Sequence, residues 1–172
     1  IHCQQPLIDS LTIKLQKTNN KELKAKIYVK LAVASLRIDD DKKFSEYTII
    51  LDSLINDIEN PRVKGASYKL TSILEYDREK FHKAINFSEK AIRKFIIAKD
   101  SVQIGKSVNS TIKSFIKLNK LAESEELYLK YQSWINPKWN YKIAMDLSKH
   151  YITIDDFDKT SHYLAYCHKI AN

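Results

Sequence analysis

The sequence predicts an all-α protein, and three observations support this. Only two glycines and three prolines occur in 172 residues, so the residues that form β-hairpins and long loops are scarce. Lys, Glu, Leu, Ile and Ala supply most of the chain, and these residue types favour helix. Apolar residues also recur at steps of three and four between short polar turns, which is the helical period.

Three helices are predicted before residue 60. Pro6 suits the first position of a short helix, because proline lacks an N–H that would be unpaired there anyway. A second helix is predicted over 22–37, and the aspartates at 39–41 suit the positive N-terminal end of the third. The apolar stripes of the three helices are Leu7, Leu11 and Leu15; Leu23, Ile27, Leu31 and Ala34; and Phe44, Tyr47, Leu51, Leu54 and Ile58.

Two Asn-Pro pairs divide the rest of the chain, since proline ends one helix and starts another. After Asn60-Pro61, helices are predicted over 62–76, 78–95, 102–118 and 121–134, separated by short polar turns. After Asn136-Pro137, the final pair is predicted over 139–152 and 157–171. Trp134 and Trp139 straddle this break, and their large apolar area predicts that both lie in the core. The alternative is that they form a hot spot for a binding partner.

The stretch 78–95 organises the chain. Its small residues Ala84, Ser88 and Ala91 share one helical face, while charged residues fill the opposite face. Small side chains let two backbones approach closely, so we expect another helix to pack tightly there. This makes 78–95 one half of a helical hairpin.

The hairpin recurs along the chain. The first apolar anchors after successive polar turns are Phe44, Phe81, Leu121 and Phe157, which are 37, 40 and 36 residues apart. A helix-turn-helix unit of this length is typical of an α-solenoid, in which each unit buries its apolar face against the next. We predict one domain over 1–172, with a leading helix and four units over 21–59, 61–98, 101–135 and 138–171.

The repeat resembles the tetratricopeptide repeat, most clearly in K-F-H-K-A-I-N-F-S-E-K-A-I and in N-K-L-A-E-S-E-E-L-Y-L-K-Y. The resemblance implies a right-handed superhelix that binds a protein or peptide. Units somewhat longer than the standard one resemble the variant found in bacterial sensor and transcription regulator proteins, which implies a role in signalling. The chain departs from the family where Tyr47 and Leu54 replace small residues, and where Ser72 and Ile112 replace a glycine.

The resemblance also implies a binding surface, because in that family the first helix of each unit lines the concave side. The ligand-binding residues predicted in this way are Lys69, Tyr76, Lys106, Asn109, Lys113, Lys142, Met145 and Lys149. An amide beside lysines, as at Asn109, is how some relatives hold a terminal carboxylate. The hypothesis is therefore a groove for an acidic peptide; the alternative is that these lysines only keep the surface soluble.

The net charge of +8 leaves a nucleic-acid-binding helical-repeat protein as the alternative function. The 29 Lys and Arg residues are dispersed along the chain, however, and this dispersion argues against nucleic acid. The sequence leaves the oligomeric state open, a homo-oligomer included.

No catalytic site, cofactor or metal site is predicted. The chain has no phosphate-binding loop, no G-x-S-x-G and no C-x-x-C, and its five histidines are scattered. The adjacent carboxylates Glu125-Glu126 and Asp155-Asp156 are predicted to be solvated in turns and on outer faces. We therefore expect a binding protein and not an enzyme.

The ends of the chain carry weaker signals. No segment approaches the ~18 consecutive apolar residues of a membrane span. The opening I-H-C-Q-Q-P resembles the scar of a removed secretory signal, which slightly favours an extracytoplasmic location. We expect Cys167 to be a free buried thiol that forms no disulfide with Cys3, and the chain to be part of a longer protein.

Overall fold

The computed structural model describes residues 5–171. Over that range the protein is all-α, as the sequence predicts, with nine α-helices, two short 3-10 helices and no β-strand. The 3-10 helices Ile55–Asp57 and Gln132–Trp134 extend α3 and α7. The α-helices are α1 Gln5–Gln16, α2 Lys21–Arg37, α3 Asp41–Leu54, α4 Pro61–Asp77, α5 Phe81–Ile97, α6 Ser101–Lys117, α7 Leu121–Tyr131, α8 Pro137–Ile152 and α9 Phe157–Ala171.

Most of the turns between helices share one backbone motif. Five non-glycine residues have a positive φ of 52° to 59° and lie two positions before a helix begins: Asp39, Glu79, Lys99, Asn119 and Asp155. In each turn the following N–H bonds back to the carbonyl five residues earlier, at 2.8 to 3.0 Å. This pattern is a Schellman motif, which satisfies the last carbonyls of a helix and reverses the chain within a few residues.

The residue after each of these turns starts the next helix. Asp40, Asp100 and Asp156 each accept a hydrogen bond from the backbone N–H three residues on, at 3.0 to 3.1 Å. Lys80 and Lys120 occupy the same position before α5 and α7 and give no such bond. The two Asn-Pro breaks act as predicted, because Asn60 and Asn136 cap α4 and α8 and a proline fills the first helical position.

Consecutive helices from α1 to α7 pack on one another, as do α8 and α9. The alternate helices α2, α4, α6 and α8 also contact one another in series. The apolar core consists of three clusters that follow one another along the chain. The first joins α1 to α2 through Leu11 and Leu31, the second centres on Phe44 and Leu51, and the third extends from Ala91 to Cys167. Each helix therefore buries its apolar face against neighbours that are close in sequence.

The small-residue face of α5 is a point of close approach, as the sequence predicts. Ala84, Ser88 and Ala91 have no exposed surface. The Ser72 hydroxyl of α4 donates to the Ala84 carbonyl at 2.8 Å, and the Thr111 hydroxyl of α6 donates to the Ser88 oxygen at 2.7 Å. A hydroxyl can reach a neighbouring helix in this way only where the backbones lie close together.

The repeat register predicted for the first unit is wrong. The left-handed turn residues before α3, α5, α7 and α9 lie 40, 40 and 36 residues apart, and α3 begins at Asp41, the counterpart of Phe81. Phe44, chosen as the anchor because it is aromatic, therefore corresponds to Ala84. Leu51 likewise corresponds to Ala91, so the first unit places large side chains where the second places small ones.

Several predicted core residues are exposed instead. Leu7 is 44% and Leu23 46% exposed, because α1 packs through Ile8 and Leu11 and α2 turns Leu23 toward an open groove. Trp134 is 49% exposed, since the 3-10 helix shifts the helical period and Ile135 takes the core position. Trp139 does pack against the core, as predicted.

Cys167 is a buried free thiol, as predicted, and burial raises its pKa. The prediction about Cys3 lies outside the described residues.

Candidate functional site

A groove lies where α1, α2 and α4 meet, and we call it the N-terminal groove. Its volume is about 640 Å³. Its floor is apolar: Ile27 and Val63 are almost fully buried beneath it, and Leu23 is exposed within it. Its lining residues are Leu11, Lys14, Lys17, Thr18, Leu23, Lys26, Ile27, Val29, Lys30, Arg62, Val63 and Ala66.

The rim of the N-terminal groove is basic. Five of its lining residues are Lys or Arg and none is acidic. Lys26 forms an ion pair with Glu22 on the same helix at 3.0 Å. Among the described residues, Lys14, Lys17 and Lys30 have no carboxylate within ion-pair distance. Their charges are therefore free to attract an anionic partner.

A smaller groove of about 250 Å³ adjoins it between α2, α4 and α6, and we call it the adjoining groove. The two grooves share Val29, Arg62 and Ala66 in their lining, so they form a continuous surface. Arg62 stands at the junction, where its Nε lies 3.1 Å from Oδ2 of Asp100. Asp100 is the one acidic residue that lines either groove.

Two of the predicted binding residues, Lys69 and Lys106, meet in the adjoining groove. Lys69 is largely buried, and its ammonium donates to Oε1 of Gln103 at 3.0 Å. The pKa of Lys69 is lowered to about 8, chiefly by burial and also by the nearby charge of Lys106, while Asp100 opposes the fall. An anion in this groove would stabilise the protonated form of Lys69.

The other predicted binding residues lie elsewhere. Asn109 is only 6% exposed, and its Oδ1 has no hydrogen-bond partner in the described part of the chain. Tyr76 is half-buried edge-on against Phe81 at 5.4 Å, and Met145 packs against the core. The remaining three, Lys113, Lys142 and Lys149, are exposed on α6 and α8. The lining of the two grooves includes none of these six residues.

The N-terminal groove was not predicted from the sequence. Its lining comes from α1, the turn after it, α2 and α4, whose residues are far apart in the chain. The lysines at the end of α1 and along α2 are indistinguishable, in one sequence, from a solvated helical face. Leu23 lies on an apolar stripe predicted from the sequence, and this was the available signal for an apolar groove. Only the fold shows that no other helix within residues 5–171 covers it.

Glu125 is not the solvated carboxylate that the sequence predicts. It is partly buried on α7, where α7 meets the last unit, and it accepts hydrogen bonds from the Tyr151 hydroxyl at 2.8 Å, from the Tyr163 hydroxyl at 2.9 Å and from the Lys159 ammonium. Burial acts to raise the pKa of Glu125, but these three donors outweigh it and hold the pKa below its usual value. Its neighbour Glu126 is exposed, as predicted.

Two further features concern broad function. Over residues 5–171, no group of three or more His, Cys, Asp or Glu side chains is placed to hold a metal ion. None of the helices in that range combines the length and the hydrophobicity that crossing a membrane requires.

The fold resembles a known structure. The crystal structure of BtubC (BKLC) from P. vanneervenii matches with a TM-score of 0.78, over 97% of this chain and 71% of that one, at 13% sequence identity. At that identity the likeness concerns the fold alone. No protein-family model matches the chain, and no curated protein matches it. The tetratricopeptide resemblance therefore stays a prediction from the sequence.

Proposed function

We propose that this protein is a binding scaffold that holds an acidic, amphipathic peptide segment of a partner protein in the N-terminal groove. One observation carries the proposal: this groove combines an apolar floor with a rim of Lys and Arg. Binding sites are usually concave and apolar, with a few polar or charged groups that fix orientation.

The two parts of the groove have separate tasks. Apolar side chains of the peptide would cover Leu23, Ile27 and Val63, and removing this surface from water would supply most of the affinity. The lysines at the rim would attract acidic residues, which speeds association and discriminates against basic peptides. We therefore expect salt to slow association more than it weakens the apolar contact.

The adjoining groove extends the site. An acidic residue beyond the apolar anchors would reach Lys69 and Lys106, the two predicted binding residues that line this groove. Because the pKa of Lys69 is about 8 in the free protein, the anion would restore its proton. Affinity would consequently fall as the pH rises above 8.

The proposal includes an architecture and a biological setting. The left-handed turns before α3, α5, α7 and α9 recur every 36 to 40 residues, and α2, α4, α6 and α8 contact one another in series. Both features support a right-handed superhelix of tetratricopeptide-like units. In that arrangement, both grooves would lie on the side formed by the first helices of the units. The corresponding role would be the interaction domain of a bacterial signalling or transcription regulator.

A designed peptide tests the proposal. The probe is a labelled helix that carries Leu at helical spacing on one face and Glu on the other, and its control carries Lys in place of Glu. We expect the Glu peptide to bind in fluorescence anisotropy and the Lys peptide to fail. Equal binding of both, or of neither, would contradict the proposal.

Charge reversal locates the site. Lys14→Glu with Lys30→Glu changes the N-terminal groove, while Lys113→Glu with Lys149→Glu makes the same charge change at predicted residues outside it. We expect only the first pair to abolish binding of the Glu peptide. If only the second pair of substitutions abolished binding of the Glu peptide, the binding site would lie on α6 and α8 instead. Double-stranded DNA is the probe for the alternative function, nucleic-acid binding. If the protein binds DNA through phosphate contacts, its affinity for DNA should fall steeply as the salt concentration rises.

A further inference from the structure

The turn between α8 and α9 has an unusual surface, and we call residues 152–158 the acidic tip. Three large apolar side chains are exposed there: Ile152 at 48%, Ile154 at 59% and Phe157 at 65%. The exposed carboxylates of Asp155 and Asp158 stand among them. Single exposed apolar residues are ordinary, but three together on one turn mark an interaction surface.

The acidic tip differs from the corresponding turns of the other units. Residues 153–159 contain three aspartates and one lysine, whereas the windows 37–43, 77–83 and 117–123 each contain at least as many basic as acidic residues. The single lysine, Lys159, is held by Glu125 and so contributes little charge to the tip. The left-handed conformation of Asp155 at φ 57° fixes the shape of the turn.

The acidic tip and the N-terminal groove are complementary in two respects. The groove offers exposed Leu23 over a floor of Ile27 and Val63, which suits the apolar residues of the tip. Its unpaired lysines 14, 17 and 30 suit the two exposed aspartates. Opposite charge around a shared apolar contact is the usual arrangement of a specific interface.

The two surfaces do not meet within one molecule. The helices that form the groove, α1, α2 and α4, make no substantial contact with α8 or α9 in the described part of the chain. We infer that the partner in the N-terminal groove is a second copy of this chain, which inserts its acidic tip. This inference rests on the proposed function, because it uses the same groove.

The contact joins two different surfaces, so it is heterologous. Each molecule then keeps one free groove and one free tip, and association continues head to tail until a ring closes or a filament forms. This differs from a symmetric dimer, in which the same surface of both copies is used up. The difference provides the test.

The experiment uses the 172-residue chain with exposed substitutions. The tip variant is Phe157→Gln with Asp158→Asn, and the groove variant is Lys14→Glu with Lys30→Glu. The matched control is Lys83→Glu with Lys117→Glu, which makes the same charge change at exposed residues outside both grooves. Sedimentation velocity over a range of concentrations measures the size of the assemblies.

We expect the wild type and the control to grow in size with concentration. Each interface variant alone should associate more weakly by roughly thirtyfold or more, the loss that follows from removing one hot-spot side chain. An equimolar mixture of the two variants should form a dimer and stop there. The groove variant supplies an intact tip and the tip variant supplies an intact groove, so only one productive contact remains.

Three results would overturn the inference: a wild type that stays monomeric, variants that assemble like the control, or a mixture that forms no dimer. The designed Glu peptide separates this failure from a failure of the proposed function. If it binds the groove of a monomeric wild type, the scaffold stands and the second copy is ruled out as its partner. If it binds nowhere while tip and groove variants lose assembly, the groove is reserved for self-association.

Discussion

Replacing Glu125 by Ala should destabilise the last unit strongly. The substitution removes the acceptor of two hydroxyls, those of Tyr151 and Tyr163, whose side chains are 3% and 2% exposed. A buried donor left without a partner costs about 1 to 3 kcal/mol. The bond from Lys159 adds little, because that side chain is 43% exposed and water can replace its partner. The expected loss is about 2 to 5 kcal/mol.

Thermal unfolding followed by circular dichroism measures this loss. In a chain of this length, a loss of that size lowers Tm by roughly 5 to 15 °C. Glu126→Ala is the matched control, since it removes an exposed carboxylate one residue away and should change stability by less than about 0.5 kcal/mol. Equal melting temperatures for the two variants would refute the argument that Glu125 is a buried acceptor.

The pH dependence provides a second readout. Because the pKa of Glu125 is held below its unfolded value of 4.5, the folded state binds fewer protons near that pH. The stabilisation is therefore present above pH 4.5 and lost as the pH falls through the folded pKa. The stability gap between the wild type and Glu125→Gln should close in acid. A gap of constant size from neutral pH into acid would show that the carboxylate charge is irrelevant.

Three further predictions test other parts of the structure by the same unfolding measurements, two of them with a comparison variant. Lys69→Met should stabilise the protein at pH 7 by up to about 3 kcal/mol, because burial makes the proton of Lys69 costly. Between pH 8 and 10.5, Lys69 binds more protons in the unfolded chain than in the folded one, so wild-type stability should rise over that interval. The stability advantage of Lys69→Met should therefore shrink, and an advantage unchanged by pH would contradict this argument. Glu79→Gly should stabilise the protein by about 0.5 to 1 kcal/mol, because glycine adopts the left-handed conformation without the strain that Glu79 has there. Asn119→Gly, at the same position of the next unit, should have little effect, because asparagine tolerates that conformation. Gly105→Ala should destabilise by about 1 to 3 kcal/mol, since its new Cβ would lie 2.5 Å from Cβ of Trp139. Gly65→Ala, which meets the edge of the Phe95 ring at 2.9 Å, should cost less; a neutral Gly105→Ala would mean that α6 and α8 are packed loosely.

The helices were predictable because the signals that start and end them are local. Apolar spacing gave each helix, the Asn-Pro pairs gave two starts, and α9 has the predicted bounds of 157 and 171. The turns were visible as polar stretches, although a left-handed Glu79 or Lys99 is not what a turn usually contains. Local chemistry was sufficient wherever the structure depends on neighbours in the sequence.

The register of the first unit and the role of Glu125 were not predictable in the same way. Phe44 matched the aromatic anchor of later units by residue type, but helix length and turn geometry set the register three residues earlier. Glu125 is partly buried and fully hydrogen-bonded only because Tyr151, Lys159 and Tyr163 converge on it from two other helices. Nothing in its own neighbourhood in the sequence distinguishes it from Glu126.

The candidate site likewise has a part that the sequence predicted and a part that it did not. Lys69 and Lys106 were found because the resemblance assigns the same face of α4 and α6 to the binding surface, and both residues lie on that face, one helical turn apart. The N-terminal groove joins α1, which precedes the repeats, to α2 and α4, so no period relates its residues. Its apolar surface stays open because no helix in the described part of the chain packs over Leu23, and only the assembled fold shows this.

The buried network and the proposed assembly are connected through Lys159. While Glu125 accepts a hydrogen bond from its ammonium, the positive charge of this lysine is paired. In Glu125→Ala the charge loses that partner, and it lies next in the chain to Asp158, so we expect the tip to lose net negative charge. Below its melting temperature this variant should therefore associate more weakly than Glu126→Ala, although neither substitution lies in the groove or on the tip. Association equal to that of Glu126→Ala would show that the charge of the tip does not govern docking, and apolar burial by Phe157 would then have to account for the contact alone.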